Sequence, residues 1–408
     1  GINLGNTMEA YGRTELGTGA EVSEYETFWG QPVTTQEMIG NMKDSGFDSL
    51  RIPVSWTNAM DYECGDYTIR EEYLDRVEEI VNYGLNEDMY VVINDHWDGG
   101  WWGMFGSASQ ETREQAMEMY QAIWTQLAER FRDYPDKLIF ESANEELGDR
   151  LNETAVCPDS GALSEDECYD TVNRINQEFV NLVRESGGNN AERFLLIAGY
   201  NTDIEHTCDE RFQIPEDTAK DKLMISVHYY TPWGYSGSAS VPRWGTKAQY
   251  EKQNMLLEKM AKFTRQGYGV VIGEYAVMLN EDVSVKDNTC DFIGNLLDNC
   301  DLYGYCPMLW DTSSLFIRDG EGFFDSDVKE LFAKRSLTAQ GELSPEEEQS
   351  QAASRMEQSL SAAVDSFLSD QEREKLGKPM AWIMFNSADG AVTYSAGDLY
   401  DHPPARTA

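Results

Sequence analysis

Two glutamates, each closing a short apolar run, carry the clearest chemistry in this sequence. One ends the segment Lys137-Leu-Ile-Phe-Glu-Ser-Ala-Asn-Glu145, and the other ends Tyr268-Gly-Val-Val-Ile-Gly-Glu274. A carboxylate at the mouth of a buried strand occupies the place where a barrel enzyme keeps its reactive groups. Two such carboxylates facing one cavity are the machinery for breaking a glycosidic bond. The other strand ends, read the same way, add Arg51, His96, Asn144, His228, Tyr230 and Trp310. Residues drawn from a random surface would not be so polar and so aromatic.

These side chains can act together only if strands deliver them to one mouth. Runs with strand character fall at 1–5, 47–52, 90–94, 137–142, 194–198, 223–228, 270–273 and 304–310. Helical patterns fall at 34–45, 70–86, 112–131, 166–186, 247–265, 289–299 and 324–332. In the helix predicted over 70–86, Leu74, Val77, Val81 and Leu85 share one face, with Glu71, Glu72, Glu78 and Glu79 elsewhere. A helix between two strands returns the chain to the same end of the sheet and makes the sheet parallel. Eight such units predict an α/β protein, a (β/α)8 TIM barrel over 1–335, followed by an acidic extension over 336–408. An open doubly wound sheet would carry a Gly-rich phosphate loop after its first strand, and Gly1-Ile-Asn-Leu-Gly5 is not one. In the extension, Ser344-Pro-Glu-Glu-Glu348 predicts a helix start. Ala353, Met356, Leu360, Val364 and Phe367 then form an apolar stripe, 380–385 reads as a short strand and 402–408 as a disordered end.

Charge narrows the partners. The 408 residues include 73 acidic and 32 basic side chains, a net charge of −41. So negative a field disfavours nucleic acid, anionic lipid and strongly acidic polysaccharides, whereas a neutral polymer feels no penalty. Ten Trp and twenty-one Tyr can pack a core, and they can also stack on the flat C–H faces of sugar rings. No stretch of eighteen apolar residues predicts a transmembrane helix. The seven Cys include no Cys-x-x-Cys pair, which argues against a zinc ribbon or a thioredoxin-like centre. Cys157 and Cys168 flank a loop rich in Pro, Gly, Ser and Asp, and are read either as a local disulfide or as ordinary thiols. Asp325-Ser-Asp327 lacks the full calcium-loop pattern, and no metal or cofactor is expected. The chain begins at Gly1-Ile2-Asn3-Leu4, already inside a predicted strand and without a signal peptide. A mature or trimmed portion of a secreted, extracellular protein is expected.

Seven segments in order resemble glycoside hydrolase family 5, the cellulase family. They are Gly-Ile-Asn-Leu-Gly-Asn-Thr (1–7), Arg-Ile-Pro-Val-Ser-Trp (51–56), Ile-Asn-Asp-His-Trp (93–97), Ala-Asn-Glu (143–145), His-Tyr-Tyr-Thr-Pro-Trp (228–233), Ile-Gly-Glu-Tyr (272–275) and Leu-Trp-Asp (309–311). They cover the predicted barrel and none of the extension. Their wording is most similar to the bacterial endoglucanase branch that also includes xyloglucanases and lichenases. One departure stands out: where the family often has two adjacent histidines after the third strand, the second is Trp97 here.

The resemblance implies a retaining endo-β-1,4-glucanase acting on cellulose-type β-glucans. Xyloglucan, mixed-linkage glucan, xylan and mannan are the alternative polymers. Glu145 matches the general acid/base and Glu274 the nucleophile. Arg51 is expected to reach Glu274 and hold it ionised while Glu145 stays protonated. Tyr230 would donate to the nucleophile, His228 would orient the acid/base or a sugar hydroxyl, and Asn144 would bind the 2-hydroxyl. His96 would line the same subsite, and Trp310 would form its floor. Asn6 and Asn94 are further candidates at the cleft, with Trp29, Trp101, Trp102 and Trp233 as sugar platforms; for each Trp, packing beneath a loop competes with stacking. A non-catalytic carbohydrate-binding barrel is the reading from another class, and the retained pair of glutamates argues against it. A metal-dependent hydrolase would need more ligands than the four His supply.

Overall fold

Short strands that alternate inward and outward side chains close on themselves when helices return the chain to one end. The computed structural model describes residues 1–238, 240–320, 322–337 and 343–367. In it β1 (Ile2–Asn3), β2 (Ser49–Ile52), β3 (Tyr90–Ile93), β4 (Leu138–Glu141), β5 (Leu195–Ala198), β6 (Leu223–Tyr229), β7 (Gly269–Tyr275) and β8 (Tyr305–Leu309) form a closed barrel in that order. Ile2 pairs in parallel with Leu50 on one side and Leu309 on the other, which shuts the ring. The predicted strands are therefore all present, with ends moved by a few residues.

The chain divides into two compact units. The first comprises Gly1–His228, Lys259–Glu274 and Gly304–Gln340 and contains the barrel as far as His228 on β6 and Glu274 on β7. Val92, Ile139, Leu196, Val271 and Met308 plug its interior. Side chains two apart on a strand face the same way. The layer above this plug is thus drawn from Asn94, Glu141, Gly273 and Trp310, each two residues further along its strand. An apolar stopper below and a polar layer above is what converts a packed barrel into a barrel with a site.

The second unit comprises Tyr229–Glu258, Tyr275–Tyr303 and Gly341–Ala408. Within it Trp244 packs against Tyr250 at 4.4 Å and Phe292 at 5.4 Å between ring centroids. The predicted helix start in the extension is present. Ser344 caps Pro345–Ala362 with a reciprocal bond to Glu347. This helix packs on Thr289–Tyr303, and Arg355 reaches Asp298 at 2.6 Å and Asp301 at 3.2 Å. Ala352 and Met356, one turn apart, are its buried residues, so the stripe is shorter than predicted and starts at Ala352 rather than Ala353. The runs at 380–385 and 402–408 lie outside the described residues. The long helix predicted over 247–265 is interrupted, as Lys247–Lys259 and Ala261–Thr264. Cys157 and Cys168 form no disulfide, and Cys157 Sγ donates to Asp159 instead.

The barrel wall is tight enough to test. Gly84, on the helix Glu71–Asn86, faces β3, and a Cβ there would stand 2.6 Å from Val91 Cγ2 and 3.4 Å from Leu50 Cδ2. Alanine would gain about 1 kcal/mol of helix propensity, while overpacking a filled core costs about 1–3 kcal/mol. Gly84→Ala is expected to lower the urea midpoint, a net loss of about 1 kcal/mol; an unchanged or higher midpoint would show that the wall yields freely.

Candidate active site

The polar layer is organised by Arg51, which reaches the barrel axis from β2 and is fully buried. Its Nε donates to Glu141 Oε2 at 2.7 Å. Nη1 donates to Glu274 Oε1 at 2.8 Å and to Asn3 Oδ1 at 2.9 Å, and Nη2 donates to Asn144 Oδ1 at 2.8 Å. Burial opposes the charge, but the fields of Glu141 and Glu274 hold the guanidinium above its ordinary pKa. Asn3 is itself fixed by donating to the carbonyl of Gly273 at 2.9 Å. Gly273 has to be small, since a Cβ there would come within 2.9 Å of Ser226 Oγ and 3.2 Å of His228 Nε2.

Above this layer Glu145 and Glu274 approach each other around His228. His228 Nδ1 lies 2.9 Å from Glu145 Oε1 and 3.5 Å from Glu274 Oε2. One atom from each of the three side chains lies within 4.8 Å of the other two. That suits the carboxyl separation of about 5–5.5 Å used for covalent displacement and is too short for the ~6.5–9.5 Å of an inverting pair. The Arg51 guanidinium beside Glu274 makes this a poor place for a metal dication.

The protonation of the pair differs from the sequence expectation. Burial pushes the Glu274 carboxyl up, against the opposing charges of His228 and Arg51. At Glu145 burial also pushes upward, but the His228 bond and charge, then Arg150 and Arg51, outweigh it and leave the carboxyl below its ordinary value. The cause is depth. The Glu274 side chain is 6% exposed and that of Glu145 is 32% exposed, and Glu145 takes the shorter bond to His228. His228 in turn is held above its ordinary value: burial opposes its charge, but Glu274 and Glu145 prevail. In the free site His228 and Glu274 are thus held above their ordinary values and Glu145 below its own.

The rest of the wall is laid out as follows. His96 stacks on Trp310 with ring centroids 5.6 Å apart and planes 9° from parallel. Its nitrogens lie 3.4 Å from Asn94 Nδ2 and from Asn144 Nδ2. Burial, then Arg51 and His228, push its pKa well down, so the ring is neutral. Trp310 rests on Gly5, where a Cβ would meet its Cζ2 at 3.0 Å. Asp311 then binds the backbone N–H groups of Ser313, Ser314, Leu315 and Phe316 and locks the loop behind Trp310. Glu9 does the same for the loop after β1, taking the N–H groups of Asn6 and Thr7, which leaves Asn6 with φ 61°.

Several candidates need revising. Trp101 is not a sugar platform, because it is fully buried and stacks on Trp102 at 4.5 Å, with Phe105 and Tyr120 against the pair. The segment Asp98–Gly106 is pressed onto its neighbours: a Cβ on Gly103 would lie 2.1 Å from Glu153 O. The glycine on each side of the Trp pair was the available sign of that packing. Trp97, which replaces the second histidine, is instead half-buried edge-on to Tyr11 at 5.5 Å. Trp29 and Trp233 are 40% and 59% exposed and free to meet a ligand. Tyr230 follows β6 in the second unit and packs edge-on to Trp233 at 5.6 Å.

Residues not anticipated are mostly buried polar ones one layer down: Asn3, Glu141 and Ser226. Glu146 also joins Asp95 and Asp98 in a buried acidic cluster. Burial pushes Glu146 up to about 8 and Asp98 up to about 6.

A family model described as Cellulase (glycosyl hydrolase family 5) matches residues 13–314. Endoglucanase A of Paenibacillus barcinonensis is 34% identical over 340 residues, spanning 76% of this chain and 80% of the relative. The xyloglucan-specific endo-beta-1,4-glucanase BoGH5A of Bacteroides ovatus is 31% identical over 340 residues, spanning 78% of this chain and 64% of the relative. The solved GH5-4 broad specificity endoglucanase from Ruminococcus champanellensis with bound cellotriose superposes with a TM-score of 0.70 at 29% identity, covering 81% of this chain and 94% of that one.

Two measurements probe the electrostatics. The buried Glu146 carboxyl costs nothing below about pH 4.5, where folded and unfolded chains both hold the proton. As pH rises toward about 8 the unfolded chain ionises first, so the cost of folding grows and then levels off. The Tm of Glu146→Gln relative to the natural protein should therefore climb between those values; a difference independent of pH would refute the buried acid. Second, the charge of His228 lowers the carboxyls of both Glu145 and Glu274. In His228→Asn both limbs of the kcat/KM profile should move to higher pH, and unmoved limbs would place its charge elsewhere.

Proposed function

The chain belongs to glycosyl hydrolase family 5, the cellulases, and on that basis we propose that Glu145 and Glu274 cut internal β-1,4 bonds of neutral β-glucans with retention of configuration. The observation that carries this reading is the approach of the two carboxylates around His228 to within 4.8 Å. Glu274 attacks the anomeric carbon as the bond to the leaving oxygen breaks, and Glu145 gives that oxygen its proton. A water then attacks the same carbon, Glu145 takes the water's proton, and the ester to Glu274 opens.

The proton placement of the free site suits a substrate-driven switch. A glucan chain lying over Glu145 removes it from water, which raises its pKa, while Arg51 keeps its bond to the deeper Glu274. Asn144, held by Arg51 at its oxygen and lying 3.4 Å from His96 Nε2 at its nitrogen, turns its amide toward the 2-hydroxyl. Trp310, backed by His96, supplies the flat floor. The net charge of −41 does not oppose an uncharged polymer. We place the enzyme outside the cell, because a β-glucan polymer cannot enter one.

The relatives named as an endoglucanase and a xyloglucan-specific enzyme leave cellulose-type glucan, mixed-linkage glucan and xyloglucan as the polymers to compare. Product sizing on that panel should show internal cleavage. Glu145→Gln should lose about 10²–10⁴-fold in kcat on polymer, and Glu274→Gln at least as much. A Glu274→Gln variant that releases reducing ends as fast as the natural protein would leave only a carbohydrate-binding barrel.

A further inference from the structure

Glu141 sits on β4, four residues before Glu145, with its side chain fully enclosed. Its Oε2 accepts from Arg51 Nε at 2.7 Å and from Asn94 Nδ2 at 3.1 Å, and its Oε1 accepts from Ser226 Oγ at 2.7 Å. On the other edge of the same guanidinium, Nη1 donates to Glu274 at 2.8 Å. One cation is thus shared by two buried carboxylates, and only the one at the mouth can meet a sugar. Resting on the double-displacement reading above, we propose that Glu141 is a positioning residue for the nucleophile. It aims the Arg51 fork at Glu274 and Asn144, and it takes up part of the cation's field.

The physical argument runs through the planarity of the guanidinium. Fixing Nε fixes the rotation of the whole fork, and with it the directions of Nη1 and Nη2. Asn94 and Ser226 fix the carboxylate that does the fixing, so β2, β3, β4 and β6 all bear on one bond. The charge matters separately. Among the described residues, the charged groups acting on Glu274 include Arg51 from β2, His228 from β6 and Glu145 beyond β4. With Glu141 neutral, the undivided charge of Arg51 falls on Glu274. That carboxylate ionises more readily and becomes a weaker nucleophile.

The test is the pH profile of Glu141→Gln, which keeps the size and an acceptor for Nε but drops the charge. The acidic limb of kcat/KM should move down by about one pH unit, with kcat reduced at the optimum. A limb at its natural position, with activity lost evenly at every pH, would mean a purely structural role and overturn the proposal. Should that variant not fold, Glu141→Asp serves. The rate at which an activated 2-fluoro-cellobioside traps Glu274 should fall about tenfold, while the Kd for cellotetraose stays within about twofold. Equal losses in both would overturn it. An inactive natural protein on the same substrates would overturn the hydrolytic reading and this role with it. An active one with an unmoved limb would overturn this role alone.

Discussion

A permanently charged guanidinium in the middle of a dry barrel is costly unless each of its nitrogens finds a partner, and that requirement shapes the site more than any other. Arg51 meets it with Glu141, Glu274, Asn3 and Asn144, which come from β1, β4 and β7 and from the turn after β4. Removing one partner from such a pair typically costs about 3–5 kcal/mol, because the other charge stays buried. Strand register, the smallness of Gly273 and the placement of Asn3 all serve to satisfy that one cation. Glu274 is consequently positioned by the same bonds that make the barrel's polar layer tolerable.

A second constraint acts across the mouth. Three ionisable groups, Glu145, His228 and Glu274, share a space in which their charges cannot be set independently. His228 bonds to the shallower glutamate and leans on the deeper one. The resulting order of proton affinities is that of an empty site, and covering the mouth changes it. The loops that hold this arrangement are stiffened by carboxylates that bind backbone rather than substrate. Asp311 locks the loop behind Trp310, and Glu9 locks the turn at Asn6.

The acidity of the chain has a counterpart inside. Asp95, Asp98 and Glu146 are buried together, and burial raises all three carboxyls. Asp95 adjoins His96 in sequence and Glu146 adjoins Glu145, and Arg150 lies 3.8 Å from both Glu145 and Glu146. Trp97, between Asp95 and Asp98, leaves the strand line and meets Tyr11.

The eight-unit barrel and the residues at its mouth were legible in the sequence, because both depend on periodicity. An apolar run that ends in a polar residue marks a strand end whatever surrounds it, so Glu145, Glu274, Arg51 and His228 could be named from spacing alone. Folding decided what depends on neighbours distant along the chain. Trp101 and Trp233 look equivalent in sequence, yet one lies wholly inside and the other is mostly exposed. Glu141 reads as an ordinary strand residue until the register brings it beside Arg51, 90 positions earlier in the chain. The order of proton affinities within the pair was likewise set by depth, and depth exists only once the walls have closed.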